Sequence, residues 1–272
     1  MTKNRFLVLK YWLLHSRNSV PSKELLKFFF DTSYHEKAKR YIQDIRYTES
    51  DVAVRLKGIS SCLYYPKDTF NLKSLEQVVV EQCYEDNWHY YETPETRIES
   101  NDVVVDCGAA EGLFSLRVCS RCERVYAIEP LSEFVNALRK TFALQPQVTI
   151  IPAAVSDKEG EAFIENRGIS STLSLSQGER VKVETLDSLF FKTGIHISYI
   201  KADLEGADYL ALRGAEHLIR TCTPKIAITT YHDPNHARLM MEWIGSINPR
   251  YNFKLKGIYQ ITGSPMMLHA WV

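Results

Sequence analysis

The chain has 272 residues, 45% hydrophobic and 24% charged. That is near the globular average and long enough for one large domain with an appendage or for two small ones. Lysine plus arginine equals aspartate plus glutamate at 33 each, and zero net charge argues against a general nucleic-acid binder, which needs a basic footprint to displace counterions from phosphates.

Residues 1–17 hold the apolar runs Phe6-Leu7-Val8-Leu9 and Tyr11-Trp12-Leu13-Leu14, broken by Lys10. The stretch is too short and interrupted to span a bilayer, and no small-residue cleavage site follows it. The expectation is a helix packed on its own protein, with peripheral membrane contact as the alternative. Ser22 reads as the N-cap of a helix carrying Leu25, Leu26, Phe29 and Phe30 on one face. A charged helical stretch is expected over 35–46, then two short strands at Val52–Leu56 and Ser61–Tyr65, ended by Pro66. Leu72–Cys83 reads as a helix leading into the aromatic stretch Trp88-His89-Tyr90-Tyr91. Residues 1–75 are thus read as a mainly helical extension or cap on a domain spanning 76–272.

The pattern then changes to alternating strands and helices. Val103-Val104-Val105-Asp106 is a continuous apolar run ending in an acid, as expected of a strand buried on both faces. Further strands are expected at 125–129, 148–152, 199–203 and 226–231, with helices at 113–118, 132–144, 209–219 and 237–247 and a hairpin-like region before residue 199. Two closing strands, 251–255 and 267–271, suggest an antiparallel edge. The fold class is therefore α/β: a Rossmann-like, mostly parallel seven-stranded sheet with helices on both faces.

Six cysteines, at 62, 83, 107, 119, 122 and 222, are scattered. A disulfide-stapled secreted protein would be smaller and denser in cysteine. Cys119-x-x-Cys122 lacks the second pair of ligands that zinc needs. Reduced thiols and a cytoplasmic setting are expected.

The first chemical signature is Asp106-Cys107-Gly108-Ala109-Ala110-Glu111-Gly112, which follows a buried strand and opens a helix. Glycine at 108 permits a sharp turn and close backbone approach, and helix N-terminal amides then face a ligand. The dinucleotide fingerprint would demand glycine at 110, where alanine stands. A loop of the form Asp-x-Gly-x-x-x-Gly is more typical of enzymes that use S-adenosylmethionine. Glu129, ending the next strand, is placed to accept hydrogen bonds from both ribose hydroxyls.

These residues resemble the FkbM family of methyltransferases. Val105 to Gly112 resembles its cofactor loop, and Tyr126-Ala127-Ile128-Glu129-Pro130 its ribose motif. Pro152-Ala153-Ala154-Val155-Ser156-Asp157, Glu184 to Leu189, Tyr199 to Asp208, Ile226 to Asp233 and Ile247 to Tyr251 follow in order. The likeness covers about residues 75–272. It implies O-methylation of a hydroxyl on a sugar, a glycan or a related natural product, with Asp106, Gly108, Ala109, Glu111, Gly112, Glu129, Pro130 and Ala154 around the cofactor. Two departures stand out: Ala202 where methionine or isoleucine is usual, and Pro234 and His236 in the loop after His232.

Methyl transfer is an in-line displacement that depends on alignment and desolvation, and a hydroxyl nucleophile benefits from a base or a metal. Two clusters fall at strand carboxyl ends: Lys201, Asp203 and Glu205, and then His232 and Asp233. His232 or Asp203 is the expected base, with Lys201 beside them. Each has a plainer reading: Lys201 and Asp203 as an ion pair, Glu205 as a favourable helix start, Asp233 as an N-cap. A divalent metal is an alternative, with Asp203, Glu205, His232 and Asp233 as ligands. The aromatic stretch 88–91 is a candidate wall of the site, and Ser170, Ser171 and Thr172 candidates for an acceptor pocket. The expected partners are a small-molecule or glycan acceptor and a second copy of the chain, with no nucleic acid and no transmembrane segment. The competing readings are an NAD-dependent oxidoreductase and a non-catalytic methyltransferase-like module in a glycan-assembly complex.

Overall fold

Val104, Val105 and Cys107 are fully buried, as are Ile226, Ala227 and Ile228, because strands flanked on both sides in a helix-covered parallel sheet do not meet water. These two runs form the centre of the fold. The computed structural model describes residues 3–15, 20–31, 33–165, 172–174 and 178–272. Its first part comprises α1 (Lys3–Leu14), α2 (Ser22–Phe30), α3 (Tyr34–Ala38), β1 (Ile42–Tyr47), β2 (Asp51–Leu56), β3 (Leu63–Pro66) and α4 (Leu72–Cys83). Then come β4 (Val103–Cys107), α5 (Leu113–Val118), β5 (Arg124–Ile128), α6 (Ser132–Thr141) and β6 (Val148–Ile151). A smaller group follows: β7 (Ala154–Val155), β8 (Gly160–Glu165), β9 (Thr172–Ser174) and β10 (Glu179–Glu184), with a π-helical turn at Asp187–Phe191. The chain closes with β11 (Tyr199–Ala202), α7 (Asp208–Arg213), α8 (Glu216–Thr221), β12 (Lys225–Thr229), α9 (His236–Ile247), β13 (Asn252–Ile258) and β14 (Pro265–Trp271).

Seven strands form one sheet in the order β13-β14-β12-β11-β4-β5-β6. From β6 through β12 all neighbours are parallel, whereas β14 runs antiparallel to both β12 and β13. This is the Rossmann-like sheet with an antiparallel edge that the alternation predicts. Chain order reverses between β4 and β11: β4, β5 and β6 step outward one way, and β11 and β12 the other. Such a switch point leaves a crevice at the carboxyl ends of the strands.

Helices α7, α8 and α9 bury Leu212, Leu218, Ile219, Met240 and Ile244 against one sheet face, over Val105, Ile200, Ile226 and Ile228. On the other side, Leu113, Leu116 and Leu138 from α5 and α6 share a core with Val79 of α4 and with Val52, Val54 and Leu63 of the β1-β2-β3 sheet. The N-terminal sheet therefore has no core of its own. It is welded to the large sheet through α4, α5 and α6, and the Tyr64 N–H donates to Thr141 Oγ1 at 3.0 Å.

Four local expectations give way. The stretch 35–46 is not one helix: α3 ends at Ala38, and 42–47 is β1, paired antiparallel to β2. A register shift between Ile42 and Asp44 breaks strict alternation and leaves Ile42 and Ile45 on the buried side, a spacing that imitates a helix. The first 75 residues therefore hold a three-stranded sheet as well as helices. Ser22 is the first helical residue of α2 rather than its cap. Pro21 stands at the N-cap, its carbonyl accepting from the N–H of Glu24 and Leu25. Of the four apolar residues on α2 only Leu25 is buried, while Leu26 and Phe30 face outward. The expected helix over 209–219 breaks into α7 and α8 at Gly214, where a Cβ would lie 2.1 Å from the Ser156 carbonyl oxygen. The region read as one hairpin is a four-stranded sheet, β7-β10-β8-β9.

Trp88 locks the N-terminal helices onto the terminal strand pair. Phe28 of α2 stacks on its ring at 4.9 Å, and Val8, Val20, Leu25 and Ile258 complete the cluster. Gly257 of β13 makes the approach possible: it stands at φ +72, and a Cβ there would sit 2.4 Å from Trp88 Cβ. Gly257→Ala combines left-handed backbone with overpacking and should cost about 2–4 kcal/mol. Denaturant unfolding measures it, and a loss within about 0.5 kcal/mol of zero contradicts this account of the junction.

Candidate functional site

A cavity of about 590 Å³ opens over the carboxyl ends of β4, β5 and β11, at the switch point. One half is walled by the loop after β4 (Gly108, Ala109, Ala110, Glu111) and by Glu129 and Pro130 after β5, with Ala154 and the apolar Leu131, Phe134 and Ile164 behind them. Glu129 is 6% exposed. Its Oε2 accepts the Ala110 N–H and its Oε1 the Leu131 N–H, both at 3.0 Å, so the carboxylate is aimed before any ligand arrives. Burial, partly offset by those two amides, pushes its pKa up to about 7. Burial likewise raises Glu111 to about 7.

Asp106 and Gly112 of the expected cofactor set stand behind the cavity wall. Asp106 is fully buried; its Oδ1 lies 2.9 Å from Lys201 Nζ, and its Oδ2 accepts from Ser115 Oγ at 2.6 Å. It therefore binds α5 and β11 rather than capping loop amides. Gly112 has φ +87, and a Cβ would press on Leu138 Cδ2 at 2.5 Å, so it fixes the packing of α5 on α6. Gly108, at φ +74, turns sharply as expected, but the atom its missing Cβ would strike is the Asp203 carbonyl oxygen at 2.3 Å. The close approach is to β11's end, not to a ligand. Lys201 is 3% exposed and donates to the Gly108 carbonyl at 2.8 Å. Burial disfavours its charge, but Asp106 and Asp203 outweigh burial and hold its pKa above the usual lysine range. It is a fixed cation bracing the loop.

The other half of the cavity is acidic and aromatic: Glu81, His89, Tyr91, Asp203, Tyr231 and Tyr259. Asp203 Oδ2 accepts from Tyr91 OH at 2.7 Å and lies 3.6 Å from His89 Nε2, while Oδ1 accepts from Thr229 Oγ1 at 3.2 Å. His89 is 5% exposed, and its Nε2 sits 3.4 Å from Tyr231 OH. Tyr231 stacks on Tyr259 at 4.4 Å. Burial raises the pKa of Glu81 and, with help from Asp203, that of Tyr91. Half of the aromatic stretch 88–91 thus forms a wall of the site, His89 and Tyr91, while Trp88 serves the N-terminal junction.

His232 lies beside this half and not in its wall. Its Nδ1 is 3.0 Å from Asp208 Oδ2 and its Nε2 3.3 Å from Glu205 Oε2. Burial favours the neutral ring, but the hydrogen bonds and charges of Asp208 and Glu205 prevail and push the pKa up to about 10. With one ring nitrogen on Asp208 and the other facing Glu205, His232 braces the loop between them, while Asp203 is the carboxylate of this pair of strand ends held in the cavity wall by Tyr91. Asp208 is the residue that sequence reasoning missed here. It is fully buried and accepts from the N–H of Leu204 and Gly206, from Thr229 Oγ1 and from His232. Glu205 is held at φ +50 within the loop those bonds define.

The four expected metal ligands do not converge. Ligand atoms of Asp203, Asp208 and His232 do lie within 4.8 Å of one another, but Asp208 already receives four donors. Asp233 accepts from the Asn235 N–H at 2.7 Å in a local turn. Of the four expected ligands, Asp203 and His232 thus stand together beside Asp208, while Glu205 pairs with His232 Nε2 at 3.3 Å. The Cys119 and Cys122 thiols donate weakly to the carbonyls of Leu116 and Arg124. Ser170 and Ser171 lie outside the described residues, as does the side chain of Thr172. No helix among the described residues is long and apolar enough to cross a membrane.

The sheet order agrees with the comparisons. Residues 106–255 match the methyltransferase FkbM domain. No curated protein matches the chain. Among solved structures it is similar to a methyltransferase FkbM from Methylobacillus flagellatus KT at 20% identity and a TM-score of 0.53, over 74% of this chain and 56% of that one. The chain thus spans little more than half of that protein's length. Weaker likenesses are an rRNA methylase from Streptococcus thermophilus (13% identity, TM-score 0.44, 64% and 88% of the two chains) and M. jannaschii TYW2 in complex with AdoMet (11%, 0.44, 84% and 88%). With more than half its length matched, the chain belongs to the FkbM methyltransferase family.

Proposed function

We propose that the chain transfers the methyl group of S-adenosylmethionine to a hydroxyl of a sugar, glycan or related natural product. The observation that carries this reading is Glu129: a buried carboxylate, aimed by two backbone amides, at the end of the strand that follows the glycine loop. A carboxylate so placed suits the two hydroxyls of a ribose. The residues fit the cofactor in charge as well. Glu81, Glu111, Glu129, Asp203 and Glu205 line the cavity, whereas its one lysine is committed to Asp106, so a cationic ligand is favoured. When bound, S-adenosylmethionine supplies an electrophilic methyl on a sulfonium. The dinucleotide reading loses its basis, since Ala110 fills the glycine position and its N–H is engaged by Glu129.

The protein's part is alignment, desolvation and one proton. Glu129, Glu111 and the loop 108–111 hold the cofactor, against the apolar wall of Leu131 and Phe134. Tyr91, Phe114, Tyr231 and Tyr259 exclude water from the junction between the halves. Asp203, oriented by Tyr91 and Thr229, accepts the hydroxyl proton as the methyl moves. Lys201 and His232 keep its loop in place. The six free cysteines suit a reducing, cytoplasmic setting.

Calorimetric titration with S-adenosylmethionine tests the first half. Glu129→Ala should weaken binding by roughly 10- to 100-fold, as expected for losing a charge-assisted pair of hydrogen bonds. Unchanged affinity removes the ribose role. Asp203→Asn should lower turnover about 10²- to 10⁴-fold with cofactor affinity nearly intact, and full turnover would transfer the base role elsewhere.

Glu129 also couples stability to pH. Its folded pKa of about 7 lies above the ordinary 4.5, so the folded protein holds this proton more tightly than the unfolded chain. That contribution is complete below about pH 4.5 and is lost as the pH rises to 7. Glu129→Gln should therefore gain stability relative to the parent across this window, on the order of 1–3 kcal/mol at pH 8. Denaturation curves at pH 4.5, 6 and 8 decide it: a pH-independent difference shows that the carboxylate is not strained by burial.

A further inference from the structure

We propose that α1, together with the β13–β14 turn on which it packs, is a docking surface for an anionic membrane. The proposal starts from a helix that is apolar on two sides. One side belongs to the protein: Val8 is fully buried, with Leu9, Tyr11 and Trp12 packed around Trp88 and Ile258. The other side shows Phe6, Leu13 and Leu14 to solvent at 57, 62 and 68% exposure, with Lys10 exposed between them. On helical spacing, 6, 10, 13 and 14 share one face. A helix that only packs on its own protein has no use for a second apolar face.

The turn that carries α1 adds to this surface. Gly263 lies against Tyr11 and Leu7, and two residues earlier Ile261 stands 59% exposed. The same turn holds Tyr259, closed by hydrogen bonds of 2.8 Å between Tyr259 and Ser264 and between Gly263 and Tyr259. Tyr259 lines the cavity. The exposed apolar side chains therefore lie beside a residue of the site's wall.

Charge selects the partner. The chain is neutral overall, yet residues 1–23 contain five basic side chains and no acidic one, and residues 243–272 contain three and none. Lys254 and Lys256 of the second segment turn inward, to Glu95 and to the Tyr90 carbonyl. Lys10 faces solvent on α1, and Lys23 does so beside the exposed Glu24 at the start of α2, whereas Arg250 lies ahead of β13, at the end of that strand remote from the turn. Phe6, Leu13 and Leu14 set around Lys10, on a segment whose first 23 residues carry only basic charge, match an interface of anionic headgroups over acyl chains. Such a surface would bring the cavity mouth to an acceptor presented at a membrane.

Vesicle co-sedimentation of the full chain tests this, with phosphatidylcholine alone against phosphatidylcholine containing a quarter phosphatidylserine. Binding is expected to the anionic vesicles only, and to fall as salt rises. Leu13→Ser with Leu14→Ser should abolish it, and Lys10→Gln should weaken it roughly fivefold, with the thermal midpoint of both variants unchanged. A folded protein that ignores anionic vesicles overturns the proposal. So does a dimer in solution that Leu13→Ser with Leu14→Ser converts to monomer, which would assign the face to a second copy of the chain.

Discussion

The site depends on one buried ion pair. Asp106 and Lys201 are direct register partners on the adjacent parallel strands β4 and β11, at the position where the strand order reverses. Taking two charges out of water costs several kcal/mol each, and the pair persists because its remaining valences are used. Ser115 donates to Asp106, and the Gly108 carbonyl accepts from Lys201. These bonds fix the glycine loop after β4 to β11, fix α5 to β4, and place a lysine against an otherwise acidic cavity. Removing either partner would strand the other in a dry interior, so the pair is better seen as a specification of loop geometry than as a source of stability.

The second organising element is the segment 88–91, which lies ahead of the family-matched stretch. Each of its residues is tied to a different part of the molecule. Trp88 packs under α2, and His89 reaches Asp203 and Tyr231. Tyr90 meets Arg117 and Lys256 through its ring, and Tyr91 donates to Asp203 while its carbonyl accepts from Tyr199 OH. The N-terminal region is therefore coupled to the acidic, aromatic half of the cavity through contiguous contacts. Its three-stranded sheet shares a core with α5 and α6, so a change there is transmitted to the floor of the site by packing rather than through a linker.

Much of this was legible in the sequence because buried parallel strands write themselves as apolar runs, and because Gly108 and Glu129 sit at offsets that only a strand–loop–helix context explains. The seven-stranded sheet and its antiparallel edge follow from that, and Gly108, Ala109, Glu111, Glu129, Pro130 and Ala154 line the cavity. Other features were hidden for identifiable reasons. The bulge in β1 shifted Ile45 onto a helical spacing. Gly214 looked like an ordinary helical residue until Ser156 was seen against it. Asp208 stood in the quoted motif, but its role depends on four donors that converge only in three dimensions. His89 and Tyr91 were visible as an aromatic run, yet nothing local separates them from Trp88, which faces the opposite way in function.

A histidine after a strand suggests a base because an unperturbed imidazole titrates near neutrality. Here the ring is clamped between Asp208 and Glu205, so the two carboxylates that make the loop rigid also make the histidine a cation. Asp203 is held differently: Tyr91 OH donates to its Oδ2, with His89 Nε2 3.6 Å away, and Thr229 Oγ1 is shared between its Oδ1 and Asp208. Among the five residues at the ends of β11 and β12 that sequence reasoning singled out, Asp203 lines the cavity with its carboxylate held by Tyr91, and the proposed proton transfer is assigned to it for that reason.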